Sequence, residues 1–218
     1  MLFKIGVLIY GYFAGALIQA GYWMGKFNKI DIRDYGSGNA GTTNVMRTLG
    51  KKAGIATYLL DAFKAVIADI LIHFLIVPHT AIPEMLLFLY CGLGIVLGHN
   101  FPFYLKFKGG KGIAASSGVV ISLMIFPKYC FMFTVFGIFF FAFVARISRY
   151  VSLASLIGMA MFFVEFLIWG FLGWLPLNGT DLVEGTVFAL AALAFIRHRS
   201  NIVRLVHGTE RKIGEKKN

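Results

Sequence analysis

Apolar residues form seven long runs along the chain, and polar residues collect in the segments between them. The runs cover about residues 2–24, 53–77, 84–98, 112–126, 129–145, 150–172 and 182–196. A helix that crosses a membrane needs roughly 20 residues, with a lower limit near 17. The third, fourth and seventh runs are shorter, so each predicts a tilted, buried or re-entrant helix. Because backbone polar groups in a bilayer must be satisfied within the chain, the pattern predicts an all-α, polytopic membrane bundle of about seven transmembrane helices.

The first apolar run also has one feature of a secretory signal peptide. Its Ala14-Gly15-Ala16 segment resembles a cleavage site. However, the run continues to Met24, and the positive charges that flank it lie on its C-terminal side. We therefore expect this run to be retained as the first span.

The composition supports a membrane protein. The chain is 58% hydrophobic, only 14% of its residues are charged, and its mean hydropathy is +0.77. Its net charge of +11 could indicate a nucleic-acid partner. A nucleic-acid-binding protein spreads its basic residues over a water-facing surface, whereas here they cluster between apolar runs. We therefore expect no nucleic-acid partner. Cys91 and Cys130 both lie inside apolar runs and are predicted to pack as small hydrophobic side chains rather than to form a disulfide.

The basic residues lie almost entirely in alternate loops. If all seven runs cross the membrane, one side receives residues 25–52, 99–111, 146–149 and the chain after 196. Together these segments hold 18 of the 21 lysines and arginines. Cytoplasmic loops carry such an excess of positive charge. The distribution predicts an N-out, C-in orientation for a single domain that covers residues 1–218.

Three of the basic segments combine cations with glycine, asparagine and hydroxyl residues. They comprise residues 36–52, 98–112 and 197–210. Glycine allows backbone amides to converge on an anion, and lysine or arginine supplies charge. The second segment opens into an apolar helix, whose N-terminus favours phosphate. These features predict one shared anion site at the cytoplasmic face. Attraction of the loops to anionic lipid is the alternative interpretation.

Several better-known sites are excluded by their context. Residues 36–41 match G-x-G-x-x-G, but no strand precedes them, so a dinucleotide site is not expected. Lys111 is followed by Gly112 rather than by Ser or Thr, which excludes a P-loop. No Cys and His residues have metal-ligand spacing. We therefore expect neither a metal nor a cofactor.

Three stretches of this sequence carry a family resemblance: GSGNAGTTNVMRTLGKKAG, GHNFPFYLKFKGGKG and RHRSNIVRLVHGTE. In sequence, order and spacing they resemble the bacterial acyl-phosphate:glycerol-3-phosphate acyltransferases, and the resemblance covers essentially the whole chain. Ala40 and Thr42 depart mildly from the family's pattern. The resemblance implies acyl transfer from acyl phosphate to the 1-hydroxyl of sn-glycerol 3-phosphate. The products would be 1-acylglycerol 3-phosphate and phosphate, in the first acylation step of phospholipid synthesis.

The same resemblance implies a location and partners. The protein would lie in the bacterial cytoplasmic (inner) membrane, with its active site facing the cytoplasm. Its substrates would be acyl phosphate and glycerol 3-phosphate, and it would contact membrane lipid. The enzyme that supplies acyl phosphate is a candidate protein partner.

Roles for individual residues also follow from the resemblance. The positions expected to grip the phosphates and orient glycerol 3-phosphate are Ser37, Arg47, Lys108, His198 and Asn201. Further substrate contacts are expected at Gly38, Asn39, Thr43, Asn44, His99, Gly109, Gly110, Lys111 and Gly112. The amides of residues 109–112 are expected to hold the acyl phosphate and stabilise an oxyanion. Supporting positions are Asp61, Lys64, Arg204 and Glu210, and Asp61 is expected to lie close enough to the helix end to reach water.

The expected reaction needs no protein nucleophile, because an acyl phosphate is already activated. Orientation and charge stabilisation can supply most of the acceleration, with the proton passing to a phosphate oxygen of the substrate. The alternatives are His198 or His99 as general base and, third, Ser37 as nucleophile.

Two other classes of protein also fit the pattern of apolar runs and basic, glycine-rich segments. One is a small anion transporter with broken helices, and the other is a membrane protein that only binds lipid.

Overall fold

The architecture of the chain is helical throughout the residues that the computed structural model describes, which are 1–126, 129–179 and 186–215. This confirms the all-α prediction within those ranges. The helices are α1 (Leu2–Leu17), α2 (Ala20–Phe27), α3 (Thr42–Leu49), α4 (Lys51–Leu75), α5 (Glu84–Asn100), α6 (Ile113–Ser122), α7 (Phe131–Ser148), α8 (Val151–Phe171), α9 (Val187–Arg197) and α10 (Arg199–Val206).

Among the residues that the structure describes, four helical segments are long and apolar enough to cross a membrane: Leu2–Phe27, Glu84–Leu105, Phe131–Ser148 and Val151–Phe171. The apolar helices Ile113–Ile125 and Val187–Arg197 are shorter, in agreement with the short runs in the sequence. Helix α4 is 25 residues long, but it carries three charged residues in its apolar part. The run at 84–98 was expected to be short. Helix α5 itself is 17 residues long, and the 22-residue segment also includes a short 3₁₀ helix, Phe103–Leu105.

The first apolar run is not one continuous helix. It breaks between Leu17 and Ala20, and Gln19 lies at the break with a fully buried side chain. The Gln19 Nε2 donates to the carbonyl oxygens of Gly15 and His99, each at 3.1 Å. The helix ends leave these two carbonyl groups without an intrahelical partner, and the Gln19 side chain joins them.

Helices α1 and α5 pack backbone against backbone at the centre of the protein. A Cβ atom on Gly11 or Gly15 would lie 2.2 or 2.1 Å from a carbonyl oxygen of α5. A Cβ atom on Gly94 or Gly98 would lie 2.1 or 2.0 Å from a carbonyl oxygen of α1. Small residues four positions apart on both helices allow this close approach within a membrane. The seam fixes the end of α5, where the second polar segment begins.

Candidate active site

Three separated segments of the chain line one cavity of about 480 Å³. They are the loop before α3, the connection between α5 and α6, and the junction of α9 with α10. The lining residues are Ser37, Gly38, Asn39, Phe101, Phe107, Lys108, Gly109, Lys111, Ile196, Arg197, Arg199, Ser200 and Arg204. The three segments that the sequence predicts to form one site therefore do meet.

The charge of the cavity has a single sign. Five of its lining residues are lysines or arginines, and none of the described residues that line it carries a carboxylate. Phe101, Phe107 and Ile196 form an apolar part of the same wall. Such a cavity can hold a molecule with several negative charges and an apolar portion, because the cations converge on one space.

The loop before α3 is shaped by Asn44, which is 1% exposed. Its Oδ1 accepts from the backbone amide of Ser37 at 2.8 Å, and its Nδ2 donates to the carbonyl oxygens of Ile32 and Tyr35 at 3.0 and 2.9 Å. Gly38 adopts a positive φ of 71° within this loop. The Asn44 side chain thus presents Ser37 to the cavity but does not itself line it.

Two further predicted residues of this segment lie beside the cavity rather than in its wall. Thr43 is half-buried in the first turn of α3. Arg47, on the same helix, is exposed and lies among the charges of Arg204, Glu210 and Arg211. Arg47 therefore lies at the edge of the cavity, close to the charged residues of the third segment.

The second segment forms a glycine turn, Gly109-Gly110, that folds back on the end of α5. The Gly109 amide donates to the Asn100 carbonyl at 3.2 Å, and the Gly110 amide donates to the His99 carbonyl at 3.1 Å. Backbone carbonyls thus engage two of the four amides that are expected to hold acyl phosphate, and the role of the amides of residues 109–112 stays a prediction. The amides of Lys111 and Gly112, where α6 begins, donate to no backbone carbonyl within the described ranges.

The carbonyl groups of the glycine turn, in contrast to its amides, are bound by Arg197. Its Nη2 donates to the carbonyl oxygens of Gly109 and Gly110 at 3.2 and 3.0 Å, and its guanidinium lies 5.0 Å from the centre of the Phe101 ring. The sequence indicated Arg197 only as one of many basic loop residues. Its position two residues before Arg199, at the end of an apolar run, is the signal that could have identified it.

The third segment is largely helical, whereas the sequence predicts a loop. Helices α9 and α10 meet at His198, and a chain of polar contacts fixes their junction. The Lys111 Nζ donates to the Asn201 Oδ1, and the Asn201 Nδ2 donates to Glu210 at 2.7 Å. Arg204 and Ser152 also donate to Glu210, at 2.7 and 3.0 Å. This chain connects the second and third segments.

Glu210 stays ionised at the centre of that chain. Burial raises the pKa of its carboxyl, but the hydrogen bonds from Arg204, Asn201 and Ser152 outweigh burial and hold the pKa below its ordinary value. A carboxylate in this position neutralises part of the surrounding positive charge. It lies behind the cavity wall rather than in it.

Two titratable groups near the cavity have lowered pKa values. Burial and neighbouring arginines lower the pKa of Lys111 to about 8, although Glu210 opposes the shift. Burial and the nearby Lys111 lower the pKa of His198 to about 4. The His198 Nδ1 lies 2.7 Å from the Ala194 carbonyl, which can only accept, so Nδ1 carries the proton and Nε2 is the basic nitrogen. His198 is therefore neutral at pH 7.

A buried ion pair lies behind the glycine turn. The Lys64 Nζ is 2.9 Å from the Asp61 Oδ1, donates to the Ile18 carbonyl at 2.7 Å and donates to the His99 Nδ1 at 2.8 Å. A Cβ atom on Gly110 would lie 2.1 Å from the His99 Nε2. His99, expected to contact substrate, is thus separated from the cavity by Gly110.

The expectation that Asp61 reaches water is wrong. Asp61 is fully buried, because α4 continues for ten residues between Asp61 and its start at Lys51, and α1, α5 and α6 pack against α4.

The sequence did not predict the contact of Gln19 with the end of α5. Its signal in the sequence is that of a lone polar residue inside an apolar run.

Comparisons with known proteins agree with this arrangement. A family model described as glycerol-3-phosphate acyltransferase matches residues 5–208. The chain is 39% identical over 216 residues to the glycerol-3-phosphate acyltransferase of Thermoanaerobacter pseudethanolicus, covering 99% of this chain and 98% of that relative. It is 38% identical over 207 residues to the enzyme of the same name from Streptococcus pneumoniae TIGR4, covering 94% and 91%.

Two solved structures have the same fold. Both are of PlsY (YgiH), an integral membrane glycerol 3-phosphate acyltransferase. The glycerol 3-phosphate form superposes with a TM-score of 0.80 at 32% identity and covers 97% of this chain and 96% of that chain. The lysophosphatidic acid form gives 0.78 at 31% identity, covering 97% and 95%. This chain therefore belongs to the glycerol-3-phosphate acyltransferase family and is an integral membrane acyltransferase.

Proposed function

We propose that this protein transfers an acyl group from acyl phosphate to the 1-hydroxyl of sn-glycerol 3-phosphate. The observation that carries the proposal is the cavity, which combines five cations with an apolar wall and has no carboxylate among its described lining residues. Both substrates bear phosphate, and the donor also bears an acyl chain. The solved relatives named for their glycerol 3-phosphate and lysophosphatidic acid forms support this acceptor and this product.

The proposed chemistry depends on orientation and charge. The glycerol 1-oxygen attacks the acyl carbonyl carbon, the bond from that carbon to the phosphate oxygen breaks, and phosphate leaves with the hydroxyl proton. Lys108, Lys111 and Arg204 would stabilise the charge on the phosphates and on the developing oxyanion. Within the described part of the chain, no hydrogen bond joins the Ser37 side chain to a histidine or carboxylate, which favours a reaction without a protein nucleophile.

His198 is the alternative proton acceptor. It is neutral at pH 7, its tautomer is fixed by Ala194, and its Nε2 has no hydrogen-bond partner among the described residues. Against this role, a group with a pKa of about 4 is a weak base at neutral pH. A proton transfer to substrate phosphate is therefore the preferred step, and His198 is proposed to position the acceptor.

Release of inorganic phosphate from acyl phosphate, dependent on added glycerol 3-phosphate, tests the function with purified protein in detergent. Lys108→Ala is expected to lower kcat/KM by about 100-fold, because it removes one charged donor from the cavity. Lys106→Ala is the matched control. Lys106 is exposed in the same connection but does not line the cavity, so its activity should stay within about twofold.

An equal decrease in kcat/KM in the Lys106→Ala and Lys108→Ala variants would contradict the proposed site. Substrate flux across vesicles without phosphate release would contradict the proposed enzyme and favour a transporter. The enzyme that supplies acyl phosphate stays a predicted partner.

The dependence on pH follows from Lys111. Its amine is charged below a pKa of about 8 and neutral above it, so its attraction for an anion is lost as the pH rises. The KM for glycerol 3-phosphate or acyl phosphate should therefore rise about tenfold between pH 7 and 9. Lys111→Gln should have a raised KM that changes little over this range. A rise of the same size in that variant would show that another group titrates.

We also propose that the chain is one domain of 1–218 with seven membrane passes, N-out and C-in, in the inner membrane. The excess of lysine and arginine on one side and the apolar helices α6 and α9 support this topology. The cavity would then face the cytoplasm.

Impermeant maleimide labelling tests this orientation. Cysteine introduced at Lys106 or Ser200 should react in inverted vesicles and not in intact spheroplasts, and cysteine at Leu2, which is exposed, should give the opposite result. The native Cys91 and Cys130 are buried and should give little background. Labelling of Lys106 and Ser200 from opposite sides would contradict both the topology and the shared cavity.

A further inference from the structure

The segment after α10, residues 208–215, folds back onto the connection between α7 and α8. This connection consists of Arg149 and Tyr150. The Arg149 carbonyl accepts from the backbone amide of Ile213 at 2.8 Å, and the Arg149 Nη2 donates to the Ile213 carbonyl at 2.8 Å. Arg149 thus binds both main-chain polar groups of one residue, an arrangement that we call the Arg149 clamp.

The contacts between the two segments have a regular antiparallel register. Each step forward from the end of α7 corresponds to one step back along the C-terminal segment. Three pairs of residues show this register: Arg149 with Ile213, Tyr150 with Lys212, and Ser152 with Glu210. Three contacts in one register indicate a specific docking of the segment rather than a single chance contact.

The backbone at both ends of the clamp is fixed locally. Arg149 ends α7 with a φ of 63°, in the left-handed region that residues other than glycine rarely adopt. Beyond Ile213, the chain turns, and the Lys212 amide donates to the Glu215 carboxylate at 2.8 Å. A non-glycine residue keeps a left-handed conformation where the surrounding contacts stabilise it, which the clamp does here.

The clamped segment carries Glu210 to the cationic cavity. Glu210 accepts from the Arg204 Nε and from the Asn201 Nδ2, each at 2.7 Å. Because a carboxylate can only accept, it turns the Asn201 amide nitrogen toward itself and leaves the Asn201 Oδ1 to accept from the Lys111 Nζ. Lys111 and Arg204 both line the cavity. The position of Glu210 therefore directs two of the five cations of the cavity.

Hydrogen bonds rather than apolar packing hold this segment, because every residue of 207–215 except Glu210 is exposed. On one side of Glu210, the Thr209 amide donates to the Arg204 carbonyl at 2.8 Å. On the other side, the Arg149 clamp holds Ile213, three residues away. Loss of the clamp would thus release one of the two attachments that flank Glu210.

We propose that Arg149 is a positioning residue for acyl transfer. By clamping Ile213 it holds Glu210 in place, and Glu210 in turn keeps Lys111 and Arg204 directed into the cavity. Arg149 does not itself line the cavity. The proposal rests on the proposed function, in which both cations stabilise the charge of the substrate phosphates.

Cleavage by trypsin tests the clamp in the full-length protein in detergent. The bond after Arg211 lies in the clamped segment, and the mass of the released peptide identifies its cleavage. Arg149→Asn should be cut there about tenfold faster than the wild type, because asparagine tolerates the left-handed backbone but lacks the guanidinium, so the segment opens more often. Arg146→Asn is the matched control. Arg146 is exposed in the last turn of α7, so this variant loses the same charge and should be cut like the wild type.

Phosphate release tests whether the clamp positions the site. Arg149→Asn should raise the KM for glycerol 3-phosphate or acyl phosphate by about tenfold and change kcat by less than about twofold, because the misdirected cations bind phosphate less well. In a Lys111→Gln background, the same substitution should raise the KM by no more than about threefold, because one of the two affected cations is already absent. Arg149→Lys keeps one cationic donor and should recover part of the effect.

Ile213 provides a second, independent pair of variants. Ile213→Ala removes only the side chain, which is exposed, and keeps both main-chain groups, so its cleavage rate and KM should stay within about twofold of the wild type. Ile213→Pro removes the amide that donates to the Arg149 carbonyl. It should reproduce the faster cleavage and the raised KM of Arg149→Asn.

Equal cleavage of the wild type and Arg149→Asn would overturn the clamp. Faster cleavage with an unchanged KM would overturn its role in positioning, as would the same increase in KM with and without Lys111. Failure of the proposed function would appear differently, as a wild type that releases no phosphate in response to glycerol 3-phosphate, while the cleavage rates would still report on the clamp.

Discussion

Replacement of Gly110 by alanine is expected to lower the rate of acyl transfer by about 100-fold or more. The added Cβ atom would lie 2.1 Å from the His99 Nε2, well inside any real contact. His99 cannot move away, because Lys64 donates to its ring and the surrounding helices bury it. The glycine turn must therefore shift and displace Lys111. A shift of about 1 Å in a catalytic arrangement can reduce a rate by about 100-fold. Steady-state release of phosphate measures the effect.

Gly158→Ala is the control for the Gly110 variant. A Cβ atom on Gly158, in α8, has no neighbour within 4 Å, so activity should stay within about twofold. A second variant tests the cause directly: Gly110→Ala combined with His99→Ala opens space behind the turn and should recover part of the lost activity. Full activity in the single Gly110 variant would show that the turn does not position the site.

Replacement of Lys64 by methionine is expected to destabilise the protein by about 3–5 kcal/mol. The methionine fills a similar volume, but the Asp61 carboxylate then stays buried without its counter-ion. The Ile18 carbonyl and the His99 ring also lose a donor. Unfolding in mixed micelles of increasing SDS content measures the free energy.

The double variant Asp61→Asn/Lys64→Met separates the ion pair from general damage to the core. Because it removes both charges, it should be considerably more stable than Lys64→Met alone. If the two substitutions reduce stability additively, Asp61 and Lys64 do not stabilise each other.

The sequence predicted the features that depend on composition and spacing. Apolar runs predicted the helices, and clusters of glycine with lysine and arginine predicted three segments that share an anion site. Ser37, Lys108 and Arg204 do line one cavity, although they are far apart in the chain. An anion site of this kind can be predicted because each of the three segments has its own cluster of glycine and basic residues.

The sequence could not predict the features that depend on contacts between distant helices. Lys64 and His99 are 35 residues apart, and nothing local indicates that they meet. The direction of the Gly109 and Gly110 amides depends on where the end of α5 lies. Gln19 has a role only because α1 breaks beside that end. In each case the deciding partner belongs to another helix.

The glycine seam between α1 and α5 has a mechanical consequence. At four positions no side chain separates the two backbones, so no change of rotamer can absorb a sliding movement between them. The pair must translate and tilt as a rigid rod. The Gly110 amide donates to the His99 carbonyl at the end of α5. A movement of α1 is therefore transmitted through α5 to the glycine turn beside the cationic cavity.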